Sequence, residues 1–151
     1  HIPILLAADG PKALELAGEV ADGVIVGSGL HPQVVEWAFG QIQAGATRAE
    51  RTLPEVWING ICHIVDDPIE GRNFIRPRLI TRVNHNFRRG IHAVPDAHRA
   101  EVERLRAEYD ESDVGPTSKN VGLITDYLVD RYSERRESAE ALSKRVNKRS
   151  I

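Results

Sequence analysis

Residues Pro3–Gly29, PILLAADGPKALELAGEVADGVIVGSG, decide how the rest of the chain is read. The run Ile2 to Ala8 is apolar without alternation, as a strand buried on both faces of a parallel sheet requires. Pro3 stands near its start, where a missing N–H is tolerated. Asp9-Gly10-Pro11 then stops the strand and opens a helix: Asp9 is placed to cap it, and Pro11 is pre-set for its first turn. Leu14, Ala17 and Ala21, flanked by Ala13, Leu16 and Val20, give that helix one wide apolar face. Asp22-Gly23 breaks it. Val24-Ile25-Val26 is a second buried strand, and Gly27-Ser28-Gly29 is the loop beyond it.

Outward from this segment the unit repeats. His31-Pro32 opens a longer helix to about Ala49, with Val34, Val35, Ala38, Ile42 and Ala46 as its apolar stripe. Glu55 to Val65, rich in Val, Ile and Trp, reads as a third strand. Asp66-Asp67-Pro68 repeats the cap-and-proline signal before another helix. A β-α-β-α-β-α order with short links predicts a parallel sheet with right-handed crossovers. Farther on, Pro77 should kink or end a helix. Arg82 to Arg89 reads as polar and solvated. Pro95 to Tyr109 reads as a helix with Val102 and Leu105 on one face, Asp110 to Lys119 as a loop, and Asn120 to Tyr132 as a last helix.

A strand that delivers the chain to a tight turn at a helix start can serve a ligand. Small Ala7 and Ala8 let a ligand approach the backbone, and Gly10 with the first N–H groups of the helix can cradle a phosphate. Gly18 costs the helix up to ~1 kcal/mol relative to Ala, and close helix-to-sheet packing would explain it. By themselves these residues establish only a βα turn.

Composition narrows the function classes. The 151 residues carry a formal net charge of −2, which supports neither a nucleic-acid nor a membrane-surface role. No apolar run approaches the ~20 residues that span a bilayer. The single cysteine, Cys62, forms no internal disulfide, and a reducing, cytoplasmic setting is expected. The sequence contains no Met and opens directly inside an apolar run, which reads as a chain cut from something longer.

The Pro3–Gly29 segment resembles a signature of the luciferase-like monooxygenase superfamily. It is closest to the branch of methylenetetrahydromethanopterin reductases and other oxidoreductases that use the deazaflavin coenzyme F420. The pattern is strand, Ala-Ala-x-Gly-Pro, helix, Leu-Ala-Gly-x-x-x-Asp-Gly, strand. The stretches HRAEVERLRAEYDE and GLITDYLVDRYS also resemble late elements of the family. The resemblance implies an α/β fold, the C-terminal half of a luciferase-like (β/α)8 barrel. Residues 1–132 would form distal βα units and late helices, and residues 133–151 a charged helix or tail. A full barrel takes ~250 residues, so the first five strands would lie outside this chain.

By the same resemblance, the backbone of Ala7, Ala8, Asp9 and Gly10 would contact the coenzyme phosphate. Gly27, Ser28 and Gly29 would line the cofactor or substrate mouth. Leu30 stands where sugar-phosphate dehydrogenase relatives carry Lys, which argues against a phosphorylated sugar. The implied activity is hydride transfer between F420 and a small organic substrate, with an FMN-dependent monooxygenase as the alternative. No catalytic residue can be carried over, because the ring-facing groups come mostly from the first five strands. A non-catalytic half-barrel that binds only the coenzyme phosphate, self-associates or joins a complementary half is the competing class. After Ser133 the family's Gly-Thr-Pro-like or Gly-Pro-Pro-like turn is missing, and six Lys and Arg stand against three Glu.

Other residues invite sharper readings. Cys62 and His63 on a strand would point to opposite faces, so Cys62 reads as a core residue and not half of a nucleophilic pair. His31 reads as a cap or surface residue, the alternative being a substrate contact near the cofactor loop. His85, His92 and His98 lack a metal-ligand arrangement, and no metal is expected. Arg76, Arg78, Arg82, Arg88 and Arg89 read as a solvated helix face, the alternative being contact with a polyglutamate tail of the coenzyme.

Overall fold

The computed structural model describes residues 2–133. The charged helix or tail expected beyond Ser133 lies outside them. Three strands, β1 (Leu5–Ala8), β2 (Gly23–Val26) and β3 (Glu55–Ile58), form a parallel sheet in the order β1-β2-β3. The register sets Leu5 beside Gly23 and Gly23 beside Glu55. The crossovers are α1 (Pro11–Val20) and α2 (Pro32–Arg48). Val24 to Val26 thus lies in the middle, as the two short crossovers predict.

Strand alternation decides what is buried. Leu6, Ala8, Val24, Val26 and Val56 pack with Leu14, Ala17, Ala21, Ala38 and Ile42 of the two helices in one core. Leu5, Ala7, Ile25 and Trp57 lie on the opposite face. Leu5 is 51% and Trp57 55% exposed, so β1 is buried on its helix side alone and not on both. Among the described residues, the sheet face without helices is therefore made of the odd-numbered strand residues.

α1 and α2 pack against each other more closely than against the sheet. A Cβ on Gly18 would collide with the Ile42 carbonyl oxygen, and one on Gly45 with that of Glu15. Gly18 thus serves helix-to-helix contact, which corrects the helix-to-sheet expectation.

β3 ends at Ile58, seven residues before the expected Val65. A strand pairs only as far as its neighbour, and β2 stops at Val26; the last bond runs from the Asn59 N–H to the Val26 carbonyl, 2.8 Å. Cys62 is consequently off the sheet and exposed, not in a core. His63 stacks on Phe74, ring centroids 3.8 Å apart.

The later helices build a second core. In α3 (Pro68–Ile75) the Asp67 carboxylate accepts the Ile69 N–H at 2.8 Å, the expected cap. Pro77 turns the chain into a 3-10 helix, Arg76–Leu79, before α4 (Ile80–Phe87). The stretch expected to be solvated is instead half-buried, because Ile80, Val83 and Phe87 share one helix face inside the core. They meet Val102 and Leu105 of α5 (Asp96–Glu108) and Leu128, Val129 and Tyr132 of α6 (Asp126–Tyr132). The helix expected from Asn120 is divided: a 3-10 turn, Lys119–Leu123, precedes α6, whose first turn is capped by the Thr125 hydroxyl, 3.4 Å from the Leu128 nitrogen. Among the described residues no helix is long and apolar enough to cross a membrane.

Candidate functional site

The carboxyl ends of the three strands face α4 and α6, and the expected site residues divide there into two groups. Ala7 is exposed, and Ala8 is buried against α1. Gly10 is the N-cap of α1, yet the helix has no side-chain cap. Asp9, expected to supply one, turns the other way. Its Oδ1 accepts the Gly27 N–H at 2.6 Å, while the Ser28 hydroxyl donates to the Asp9 carbonyl at 3.0 Å. The strand-end amide of Gly27 has no ladder partner, and bonding it satisfies a half-buried donor that would otherwise go unmade. The first N–H groups of α1 are left without a capping side chain, at the positive end of its dipole. A Cβ built on Gly10 meets nothing within 4 Å. An uncapped ten-residue helix start beside open space offers backbone N–H donors, and not side chains, to an anion.

Gly27, Ser28 and Gly29 are all buried. Arg82 Nη1 and Asn86 Nδ2, both from α4, donate to the Gly27 carbonyl at 3.2 and 3.1 Å. Arg82 Nη2 also donates to Asn59 Oδ1 at 2.7 Å, so one guanidinium ties the ends of β2 and β3 together. Asn86 Nδ2 donates as well to the Tyr132 hydroxyl, 2.8 Å. From α6, Arg131 Nε donates to the Ser28 carbonyl at 3.0 Å. The Arg131 carbonyl accepts the Leu30 N–H at 2.7 Å. Gly29 has φ +138°, and a Cβ there would crowd the same carbonyl, so both shape and torsion require glycine. The structure thus joins Asp9 to Gly27 and Ser28, but separates exposed Ala7 and open Gly10 from the covered loop.

Arg131 is 2% exposed, and among the described residues its guanidinium bonds neutral oxygens, those of Ser28, Ala93, His92 and the Tyr127 hydroxyl. Burial, then the Arg131 charge, lowers the His92 pKa from its ordinary value. Burial likewise raises that of Tyr132. His31 is exposed at the start of α2 with no capping bond. Arg76 binds the Ile124 carbonyl and Asp126, so it and Arg82 are engaged within the protein and not merely solvated.

Arg82, Asn86, Arg131 and Tyr132 are not legible as site residues from the motif. One of them carries a signal nonetheless. Arg131 follows Leu128 by three and Ile124 by seven, so it sits on the apolar face of its helix, and a charge there needs a buried reason.

The luciferase-like monooxygenase family model matches residues 1–76. The 5,10-methylenetetrahydromethanopterin reductase of Methanolobus tindarius is 33% identical over 136 residues, covering 87% of this chain and 40% of that protein. The enzyme of that name from Archaeoglobus fulgidus is 31% identical over 139 residues, with the same coverage of both. The chain spans about two fifths of the length of these curated relatives. A solved structure, the coenzyme F420 dependent tetrahydromethanopterin reductase from Methanopyrus kandleri, superposes with a TM-score of 0.57 at 24% identity, over 87% of this chain and 37% of that one. That likeness establishes the fold as part of the same barrel architecture. With half its length matched by the family model, the chain belongs to the luciferase-like monooxygenase family.

Proposed function

We propose that this chain is the coenzyme-phosphate half of a cytoplasmic barrel oxidoreductase that uses F420 and acts on a small organic substrate. The observation that carries the reading is the open, uncapped start of α1 at Gly10, at the carboxyl end of a parallel strand. In barrels of this architecture that end holds the active site. The similarity to proteins named for F420 and methylenetetrahydromethanopterin supports the choice of coenzyme. When bound, the deazaflavin would supply hydride-transfer chemistry. The chain's own contribution is to bind and orient. The backbone at Ala7, Ala8, Asp9 and Gly10 receives the phosphate. Gly27, Ser28 and Gly29 act one layer behind, by holding the Asp9 carboxylate away from the helix start. The partner that completes the site is a complementary half-barrel carrying the remaining strands, with self-association as the competing outcome.

The test is coenzyme fluorescence titration of this chain, alone and mixed with a fragment supplying the first five βα units of a relative. Because no described residue other than its chain neighbours comes within 4 Å of a Cβ at position 10, Gly10→Val acts on the ligand more than on the fold. It is expected to weaken F420 binding at least tenfold, roughly 1.4 kcal/mol. Turnover is expected only in the mixture. Equal affinity of variant and wild type would remove the α1 start from the site, and a preference for FMN would replace the coenzyme.

A further inference from the structure

An open cavity of about 550 Å³ lies between Asp9 and α4, lined by Asp9, Ile61, Arg78, Thr81, Arg82 and His85. Four of these six belong to one helical run. Positions 78, 81, 82 and 85 are spaced by three and four, so their side chains rise from one face. That face presents two guanidiniums, a hydroxyl and an imidazole. Ile61 supplies an apolar wall.

The charge balance is uneven. Arg48, Arg72 and Arg76 are paired with carboxylates of Glu15 and Glu19, of Asp126 and Asp130, and of Asp126. Among the described residues, Arg78 and Arg82 instead bond neutral oxygens. Arg78 Nη1 donates to the Phe74 carbonyl at 2.6 Å, and its guanidinium lies 3.5 Å over the Phe74 ring. Arg82 donates to the Gly27 carbonyl and Asn59 Oδ1. The one acid among the described lining residues, Asp9, has Oδ1 engaged by Gly27, and its Oδ2 faces His85 Nε2 at 3.7 Å. Two cations therefore face one partly engaged carboxylate. Both are held in place by their existing bonds, so little conformational freedom remains to be lost on binding.

We propose that this cavity is an oxyanion subsite that takes a phosphate or carboxylate group of a ligand on Arg78 and Arg82, with Thr81 and His85 completing the contacts. It adjoins the α1 start at Asp9, but Gly10 does not line it and its cationic groups come from the Arg78–His85 face. It does not depend on which coenzyme the family reading assigns. A guanidinium supplies a planar pair of donors suited to either oxyanion, and its pairing with neutral oxygens leaves its charge available.

The experiment is amide and side-chain NMR of the full chain, titrated separately with inorganic phosphate and with glutarate, each at constant ionic strength set by chloride. Saturable shifts at Thr81, Arg82 and His85 are expected. Arg82 also ties two strand ends together, so its variants report on folding as well. The diagnostic variants are therefore Arg78→Gln and Thr81→Val, each with melting close to wild type and binding weaker by about tenfold for Arg78→Gln. Response to phosphate alone or to glutarate alone supports the subsite and names the ligand's anionic group. Shifts confined to Lys12 and Ala13, unsaturable shifts, or unchanged affinity in Arg78→Gln would overturn it. Gly10→Val should leave these shifts intact, so failure here and failure of the coenzyme reading are separable.

Discussion

Arg131 is a guanidinium in the interior whose hydrogen-bond partners among the described residues include no carboxylate, and its neighbour His92 feels both the burial and the charge. Nη2 of Arg131 donates to the His92 carbonyl at 3.2 Å, while the His92 ring stacks on Trp37 with centroids 5.9 Å apart. The sign of the pH effect follows. The folded protein holds His92 with a lowered pKa, whereas the unfolded chain binds a proton near the usual 6.5. The unfolded state therefore takes up more protons as pH falls, and the stability that rests on neutral His92 is complete above about 6.5 and is lost as pH falls toward the folded value. Urea melts of wild type and His92→Gln from pH 7.5 to 5.5 should converge, the wild type losing more stability across that window. Parallel pH profiles would show that this imidazole is not linked to folding.

At the level of elements, the α1–α2 contact is set by glycine where propensity prefers alanine. Gly18→Ala gains up to ~1 kcal/mol of helix propensity but drives a methyl into the Ile42 carbonyl; the backbone must move, and overpacking of this kind costs about 1–3 kcal/mol. Gly40, in α2, meets nothing within 4 Å, so Gly40→Ala should stabilise by about 1 kcal/mol. Opposite signs in chemical denaturation are the expected result, and two changes of the same sign would place the helices farther apart. The same elements show what a sequence reveals. The starts and stops of α1, α2 and α3 were legible because Pro11, Pro32 and Pro68 and the 3.6-residue apolar stripes are local signals. The end of β3 was not, since it depends on where β2 stops. Nor was the role of Asp9: a carboxylate before Gly-Pro reads as a local cap, but an unpaired amide eighteen residues away takes it. Val83 and Phe87 were hidden among polar residues, and only the partners on α5 and α6 make that face a core.

For the whole molecule, the sheet face that no described helix covers carries exposed apolar side chains. Leu5 and Trp57 are each more than half exposed, and the outer edges of β1 and β3 have no strand beside them among the described residues. The late helices do not plug this face. They build their own core and meet the sheet at the strand ends through Arg82, Asn86 and Arg131. Apolar surface next to unpaired backbone favours association. Trp57→Thr keeps a strand former while removing the indole, and should lower both dye binding to apolar surface and the sedimentation coefficient at high concentration. A wild-type chain that sediments as a monomer and binds no dye would mean this face is closed in solution.

The empty surroundings of Gly10 have a consequence in evolutionary terms. Its φ of −96° is open to any residue, and a Cβ there meets no atom of the described residues beyond its chain neighbours within 4 Å. Beyond a helix cap's taste for small polar residues, the fold exerts no selection at position 10, whereas at 18 and 45 it rejects every side chain in any lineage that keeps α1 against α2. A descendant that ceased to use its ligand would be free to drift at the first position and remain fixed at the other two.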